Sequence, residues 1–142
     1  MTPGPRPRKA IGEAETIAAR RGQVLDVSFQ RGFLCDLLLF CGPQVVFIRV
    51  GRSRTHACEP WEIERQFRGA IRELRAVPHG AATCREIHLL APWGAWQYFR
   101  ISDDGIIEVR SDGTPVLQAG PGSGAGKAGD AGTGKVIGES FS

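Results

Sequence analysis

The sequence predicts an α/β fold, and two observations lead to that prediction. Apolar runs of strand length alternate with segments that have the apolar spacing of an amphipathic helix. These segments follow the order helix, three strands, helix, and then two or three strands. The chain has 142 residues, of which 42% are hydrophobic, so it can bury the core of one compact domain.

The first half of the predicted domain contains a short helix and three strands. The helix spans residues 11–21 and is ended by Gly22, and Glu15 falls on its apolar face. The strands are predicted at residues 24–29, 33–40 and 45–50. The second and third strands are nearly continuous apolar runs with one charge each, Asp36 and Arg49, and a charge in such a run needs a partner or a function.

The second half begins with a long helix that has two different faces. This helix starts at Glu59 and Pro60. Its apolar stripe consists of Ile63, Phe67, Ala70, Ile71, Leu74 and Val77. Its opposite face carries the arginines Arg65, Arg68, Arg72 and Arg75. Strands are predicted at residues 83–90 and 96–101, with a short edge strand at 106–110.

Composition divides the chain into three parts. Residues 1–9 are basic and proline-rich and predict a flexible arm, residues 10–118 are the expected α/β domain, and the Gly/Ala/Ser-rich residues 119–142 predict a disordered tail. The longest apolar runs are far too short to span a bilayer, and no signal peptide is apparent, so we expect a cytoplasmic protein with no membrane contact. A net charge of +3 is too small to establish a nucleic-acid partner by itself.

The order of elements, with an acid on the first helix, an aspartate in the second strand and a charged centre in the third, resembles the restriction-endonuclease-like PD-(D/E)XK nuclease superfamily. The resemblance is greatest to its archaeal Holliday-junction-resolvase and RecB-like branch, and it covers about residues 11–101. It implies a central mixed β-sheet with flanking helices. It further implies an Mg²⁺-dependent nuclease and, because resolvase relatives are dimers, a possible homodimer.

The resemblance also assigns site residues, and here the sequence departs from the family pattern. Glu15 matches the helix acid and Asp36 matches the aspartate of the second strand, both of which bind Mg²⁺ in the family. In the third strand, Arg49 stands where the second acid belongs and Gly51 stands where the lysine belongs. One metal ligand has become a cation, and the lysine is missing.

No other lysine can replace the missing one, because none occurs between Lys9 and Lys127. Arginine stays charged and is a poor base. The sequence therefore predicts a remnant pocket of Glu15, Asp36 and Arg49 that holds no metal. If the two strands are adjacent and both side chains face one pocket, Asp36 and Arg49 are expected to form a buried ion pair.

The arginines suggest an anionic partner. Arg52 and Arg54 lie in the basic loop after the third strand, and the helix adds Arg65, Arg68, Arg72 and Arg75. All six are candidate phosphate contacts, although a merely solvated helix face would have the same pattern.

The favoured function is accordingly a nuclease-like domain without cofactor or cleavage activity. Its expected partner is a nucleic acid, DNA before RNA, or another protein. Two alternatives stay open. One is an active Mg²⁺-dependent endonuclease or resolvase whose acid is displaced, with Glu62 and Glu64 as candidates. The other is a small protein-interaction domain with no nucleic-acid role.

Two weaker patterns remain. Glu86 and His88 alternate onto one face of a strand, as an acid–base pair would, although such residues more often form a polar face. His56 and Cys58, combined with Cys35, Cys41 or His88, lack the spacing of a zinc finger or ribbon.

Overall fold

A computed structural model of the chain describes residues 7–30, 32–55, 58–78 and 80–116. The tail predicted at 119–142, most of the predicted arm, and His56 lie outside the described residues. The elements within those ranges are α1 (Arg8–Ala18), β1 (Gln23–Asp26), β2 (Leu37–Cys41), β3 (Gln44–Arg52), α2 (Pro60–Gln66), α3 (Arg68–Arg75), β4 (Thr83–Leu90), β5 (Trp96–Ile101) and β6 (Ile106–Val109).

The six strands form one mixed sheet whose spatial order follows the chain from β1 to β6. Neighbouring strands are antiparallel except β3 and β4, which are parallel. A parallel pair needs a crossover that returns the chain to the same end of the sheet, and α2 and α3 provide it. The predicted α/β fold, with a central mixed sheet and flanking helices, is confirmed.

The helices cover opposite faces of this sheet. On one face, the buried side of α1 packs against β2 and β3 through Ala10, Ile11, Ala14, Ala18, Leu37, Leu39, Val46, Ile48 and Val50. On the other face, α2 and α3 pack against β4 and β5 through Ile63, Ile71, Leu74, Ile87, Leu89, Phe99 and Ile101. Because side chains alternate along a strand, neighbouring residues of β3 belong to different layers.

Both predicted helices differ from the observed ones. Helix α1 begins at Arg8, three residues before the expected start, because the Ile11 amide donates to the Pro7 carbonyl at 2.9 Å and completes a turn there. The long second helix is divided at Phe67, whose φ of −117° and ψ of 36° are not helical. The prediction of one continuous helix is therefore wrong at Phe67, although Phe67 keeps its hydrogen bonds to Ile63 and Ile71.

The strands agree more closely with the sequence. Those at residues 83–90 and 96–101 have the expected bounds, and the short edge strand at the end of the sheet is present. The first two strands are shorter than expected, because residues 28–30 and 32 lie in turns or bends between them. The Val27 amide donates to the Asp36 carbonyl at 2.9 Å. Within the described ranges, no helix is long and apolar enough to cross a membrane.

Candidate functional site

Asp36 lies immediately before β2, and its side chain is fully buried. Its amide donates to the Ile48 carbonyl at 2.8 Å, and its Oδ2 accepts the Val50 amide at 2.8 Å. The same Oδ2 lies 4.0 Å from Nε of Arg49. The two charges are neighbours, as the sequence predicted, but the ion pair is long and the Val50 amide is the closer partner.

Arg49 makes its shorter contacts elsewhere. Its Nη1 donates to the Leu34 carbonyl at 2.9 Å and to Oε1 of Glu73 at 3.0 Å. Because Glu73 belongs to α3, Arg49 ties β3 to the helix layer that contains α2 and α3. The cation therefore stabilises a junction between the sheet and α3.

Glu15 does not join Asp36 and Arg49. It is half-buried on α1, while Glu13 is exposed, as the helical wheel predicted. Helix α1 covers one face of the sheet, whereas the Arg49–Glu73 contact lies on the other. The structure brings together Asp36 and Arg49 but leaves Glu15 in the opposite layer.

This donor set does not fit Mg²⁺, which prefers several oxygen ligands. A guanidinium and a backbone amide lie beside the Asp36 carboxylate, where further oxygen donors would be needed. The described residues contain no group of three or more His, Cys, Asp or Glu side chains arranged to hold a metal ion.

Gly51, which stands at the family's lysine position, lies in a crowded part of the sheet. A Cβ at Gly51 would lie 3.3 Å from Cδ2 of Leu89 and 3.5 Å from the Phe67 ring. The Phe67 ring, at the break between α2 and α3, therefore packs where a longer side chain would begin. A lysine would fit here only if that packing moved.

The candidate phosphate contacts fall into two groups. Five arginines are exposed, namely Arg52, Arg54, Arg65, Arg68 and Arg72. Arg75 differs from them because its guanidinium is already occupied. It binds both carboxylate oxygens of Glu64, at 2.6 and 3.1 Å, and donates to the Ser102 carbonyl at 2.9 Å.

A second buried charged cluster lies on the α1 side of the sheet, centred on Glu86 of β4. Arg21 binds Glu86 in a bidentate manner, with Nη1 2.9 Å from Oε1 and Nη2 3.1 Å from Oε2. Arg100 of β5 donates to Oε2 at 3.3 Å, and Nε2 of His88 lies 2.9 Å from Oε1. The Glu86 side chain is fully buried, and His88 is 1% exposed.

The electrostatics of this cluster keep Glu86 ionised. Burial alone raises the pKa of the Glu86 carboxyl, but the hydrogen bonds from His88 and Arg21 outweigh burial and hold that pKa far below its ordinary value. Burial lowers the pKa of Arg21, but the hydrogen bond to Glu86 and the attraction of neighbouring negative charge, chiefly that of Glu86, together outweigh burial and raise that pKa.

The sequence singled out Glu86 and His88 but missed Arg21 and Arg100. The available signal was the alternation of an acid and a histidine on one face of the predicted strand. The Glu86 carboxylate is satisfied by four contacts, from two nitrogens of Arg21, one of Arg100 and one of His88. Among the described residues, Nε of Arg21, Nε of Arg100 and Nδ1 of His88 are buried and have no hydrogen-bond partner. The network joins Arg21, after the end of α1, to the middle of β4 and to Arg100 near the end of β5.

Comparison with solved structures shows a likeness in fold. The chain is similar to Hjc, a Holliday junction resolvase from the archaeal hyperthermophile Archaeoglobus fulgidus, with a TM-score of 0.47 and 14% sequence identity. That alignment covers 70% of this chain and 85% of the resolvase chain. No known protein family and no curated protein matches the sequence.

Proposed function

We propose that this chain is a nucleic-acid-binding domain of nuclease-like architecture that does not cleave its ligand. The exposed arginines of α2 and α3 carry the proposal. Arg68 and Arg72 are exposed. Their side chains form no ion pair and no hydrogen bond with the described residues. Guanidinium groups in this state are available to phosphates, which supply most of the affinity for nucleic acid.

The residues at the remnant pocket support the absence of cleavage. Asp36 is buried beside a cation, Glu15 lies in the other layer, and Gly51 is packed against Phe67. A metal-dependent nuclease must instead hold Mg²⁺ and activate a water at one exposed point. We therefore propose that Mg²⁺ is not a cofactor of this chain.

The two acids considered as displaced ligands are already engaged. Oε1 of Glu62 accepts the Glu59 amide at 2.7 Å, which forms a capping box at the start of α2. Glu64 is bound by Arg75. These contacts count against an active nuclease that uses a displaced acid. DNA is the expected ligand, and the homodimer stays a prediction.

The test measures binding and cleavage in the same samples. The full chain is titrated against labelled duplex, single-stranded and four-way-junction DNA over a range of salt, with and without Mg²⁺ or Mn²⁺. Salt-sensitive binding without cleavage is expected. Each of Arg68→Ala and Arg72→Ala should weaken binding. Each should also reduce the salt slope, which is the steepness with which the logarithm of the binding constant falls with the logarithm of the salt concentration, by about 0.7 to 0.9. The control Arg110→Ala changes an exposed arginine beyond β6 and should leave both unchanged.

Two results would overturn the proposal. Metal-dependent cleavage that disappears in Asp36→Asn would establish an active nuclease, because asparagine keeps an acceptor for the Val50 amide and removes only the charge. Absence of salt-sensitive binding to every substrate would leave the protein-interaction alternative.

A further inference from the structure

Trp61, on the first turn of α2, has a large aromatic side chain that lies outside the hydrophobic core. It is 62% exposed. An open groove of about 290 Å³ lies beside it, lined by Pro60, Trp61, Glu64 and Ile106. An exposed aromatic side chain next to an apolar groove is typical of a binding surface. This volume is just below the roughly 300 to 1,000 Å³ that is typical of small-molecule sites.

Arg65 lies over Trp61. Its guanidinium carbon is 5.3 Å from the centroid of the indole ring, which is within the range of a cation–π contact. This contact orients the indole and adds a positive charge at the edge of the groove. The Trp61 ring and the Arg65 guanidinium together are here called the Trp61–Arg65 platform.

The charge around the platform favours an anion. Glu64 is the acid in the groove, and Arg75 neutralises it through two bonds of 2.6 and 3.1 Å. Arg65 follows Trp61 by four residues on α2, and Arg72 follows Arg68 by four residues on α3, so each pair lies on one face of its own helix. All three arginines are exposed.

We propose that the Trp61–Arg65 platform stacks an unpaired base of a single-stranded nucleic acid whose phosphates follow Arg68 and Arg72. In a duplex, the faces of interior bases are already stacked on their neighbours, whereas a single strand can present a base to an aromatic ring. The inference rests on the proposed nucleic-acid-binding function and adds the class of ligand.

The test uses oligodeoxythymidine of about twelve nucleotides, a length within the range covered by single-strand binding sites. A duplex of equal length is the comparison. Dissociation constants are measured for the full chain and for Trp61→Ala, Trp61→Phe and Trp93→Ala. Trp93 is the matched control because it is 77% exposed and lies in the turn between β4 and β5. Thermal unfolding confirms that each variant is folded.

Trp61→Ala should weaken binding to the single strand about 5- to 150-fold, as expected for the loss of one stacked base. Trp61→Phe should recover most of that loss, and Trp93→Ala should have no effect. The salt slope should be the same in Trp61→Ala as in the natural chain, because stacking does not neutralise a phosphate. Arg68→Ala should reduce that slope.

The possible failures are distinguishable. If Arg68→Ala weakens binding but Trp61→Ala does not, the proposed function stands and the base-stacking inference is wrong. If the natural chain binds neither oligonucleotide, both fail. If Trp61→Ala abolishes self-association of the chain in sedimentation and leaves DNA binding unchanged, the groove is a protein contact surface, which also overturns the inference.

Discussion

Arg21, just beyond the end of α1, binds Glu86 in the middle of β4 through two nearly parallel N–H···O bonds of 2.9 and 3.1 Å. The Arg21 side chain is 9% exposed and the Glu86 side chain is fully buried. The pair is thus shielded from water and joins residues that are 65 positions apart. Four predictions concern this contact and the arginines of the helix layer.

Arg21→Ala should lower the free energy of unfolding by about 3 to 5 kcal/mol, because it leaves a buried carboxylate without its bidentate partner. Urea unfolding followed by circular dichroism measures the change. Arg72→Ala removes an exposed arginine and should change the same quantity by no more than about 0.5 kcal/mol. Equal effects of the two substitutions would show that the Arg21–Glu86 pair does not stabilise the fold.

The stability should depend on pH through Glu86. Its pKa in the folded chain is lower than the ordinary value of 4.5, so its contribution is complete above pH 4.5 and is lost as the pH falls towards the lowered folded pKa. The free energy of unfolding should therefore fall more steeply below pH 4.5 in the natural chain than in Glu86→Gln. Urea midpoints at pH 6, 4.5 and 3 provide the comparison, and parallel curves would contradict it.

Gly113→Ala should disturb the contact between Arg21 and Glu86, although Gly113 is not itself part of that ion pair. Gly113 has a φ of +90°, and a Cβ there would lie 2.6 Å from Nη2 of Arg21. Gly94 is a matched control, since its φ is +89° and a Cβ there meets nothing within 4 Å. Gly94→Ala should cost about 1 kcal/mol of backbone strain.

The Gly113 substitution should cost about 1.5 to 3 kcal/mol more than the Gly94 substitution, because it also displaces charged hydrogen bonds. Thermal and urea unfolding of both variants give the difference. Similar losses in the two variants would mean that Arg21 moves aside freely.

Substitutions of Arg75 and Arg72 should affect different properties, namely the stability of the fold and the binding of nucleic acid. Arg75→Ala removes the bonds to Glu64 and Ser102 and should lower the free energy of unfolding by about 1 to 2 kcal/mol, a modest value because the pair is partly exposed. It should leave the salt slope of DNA binding unchanged. Arg72→Ala should leave the free energy of unfolding nearly unchanged and reduce the salt slope. A reduced salt slope in Arg75→Ala would show that Arg75 also contacts phosphate.

The sequence predicted the sheet well where the signal was local. The strands at residues 83–90 and 96–101 have the expected bounds because each is rich in apolar or aromatic residues and is flanked in the sequence by glycine-containing turns, at Gly80, Gly94 and Gly105. The break at Phe67 was missed because the apolar spacing continues through it. The break is visible only in the backbone angles, next to the packing of the Phe67 ring near Gly51.

The candidate sites were harder to predict than the strands. They depend on contacts between residues that are far apart in the chain, and a single sequence does not show such contacts. The neighbouring charges Asp36 and Arg49 were predictable because their strands adjoin in the chain. The partner of Glu86 was not predictable, because Arg21 is, in the sequence, one of two adjacent arginines at the end of a predicted helix. Arg75 likewise matched Arg68 and Arg72 in the predicted helical row, and its contacts with Glu64 and the Ser102 carbonyl distinguish it only in the structure.

The pairing of β3 with β4, which is the one parallel pair among the described strands, has a consequence for how the chain folds. Strands β1 to β3 and strands β4 to β6 are each joined by local antiparallel connections, which form in microseconds. Pairing β3 with β4 requires closure of the whole connection through α2 and α3, so its entropic cost is paid before the contacts form. We therefore expect two early meanders whose docking along β3 and β4 limits the folding rate.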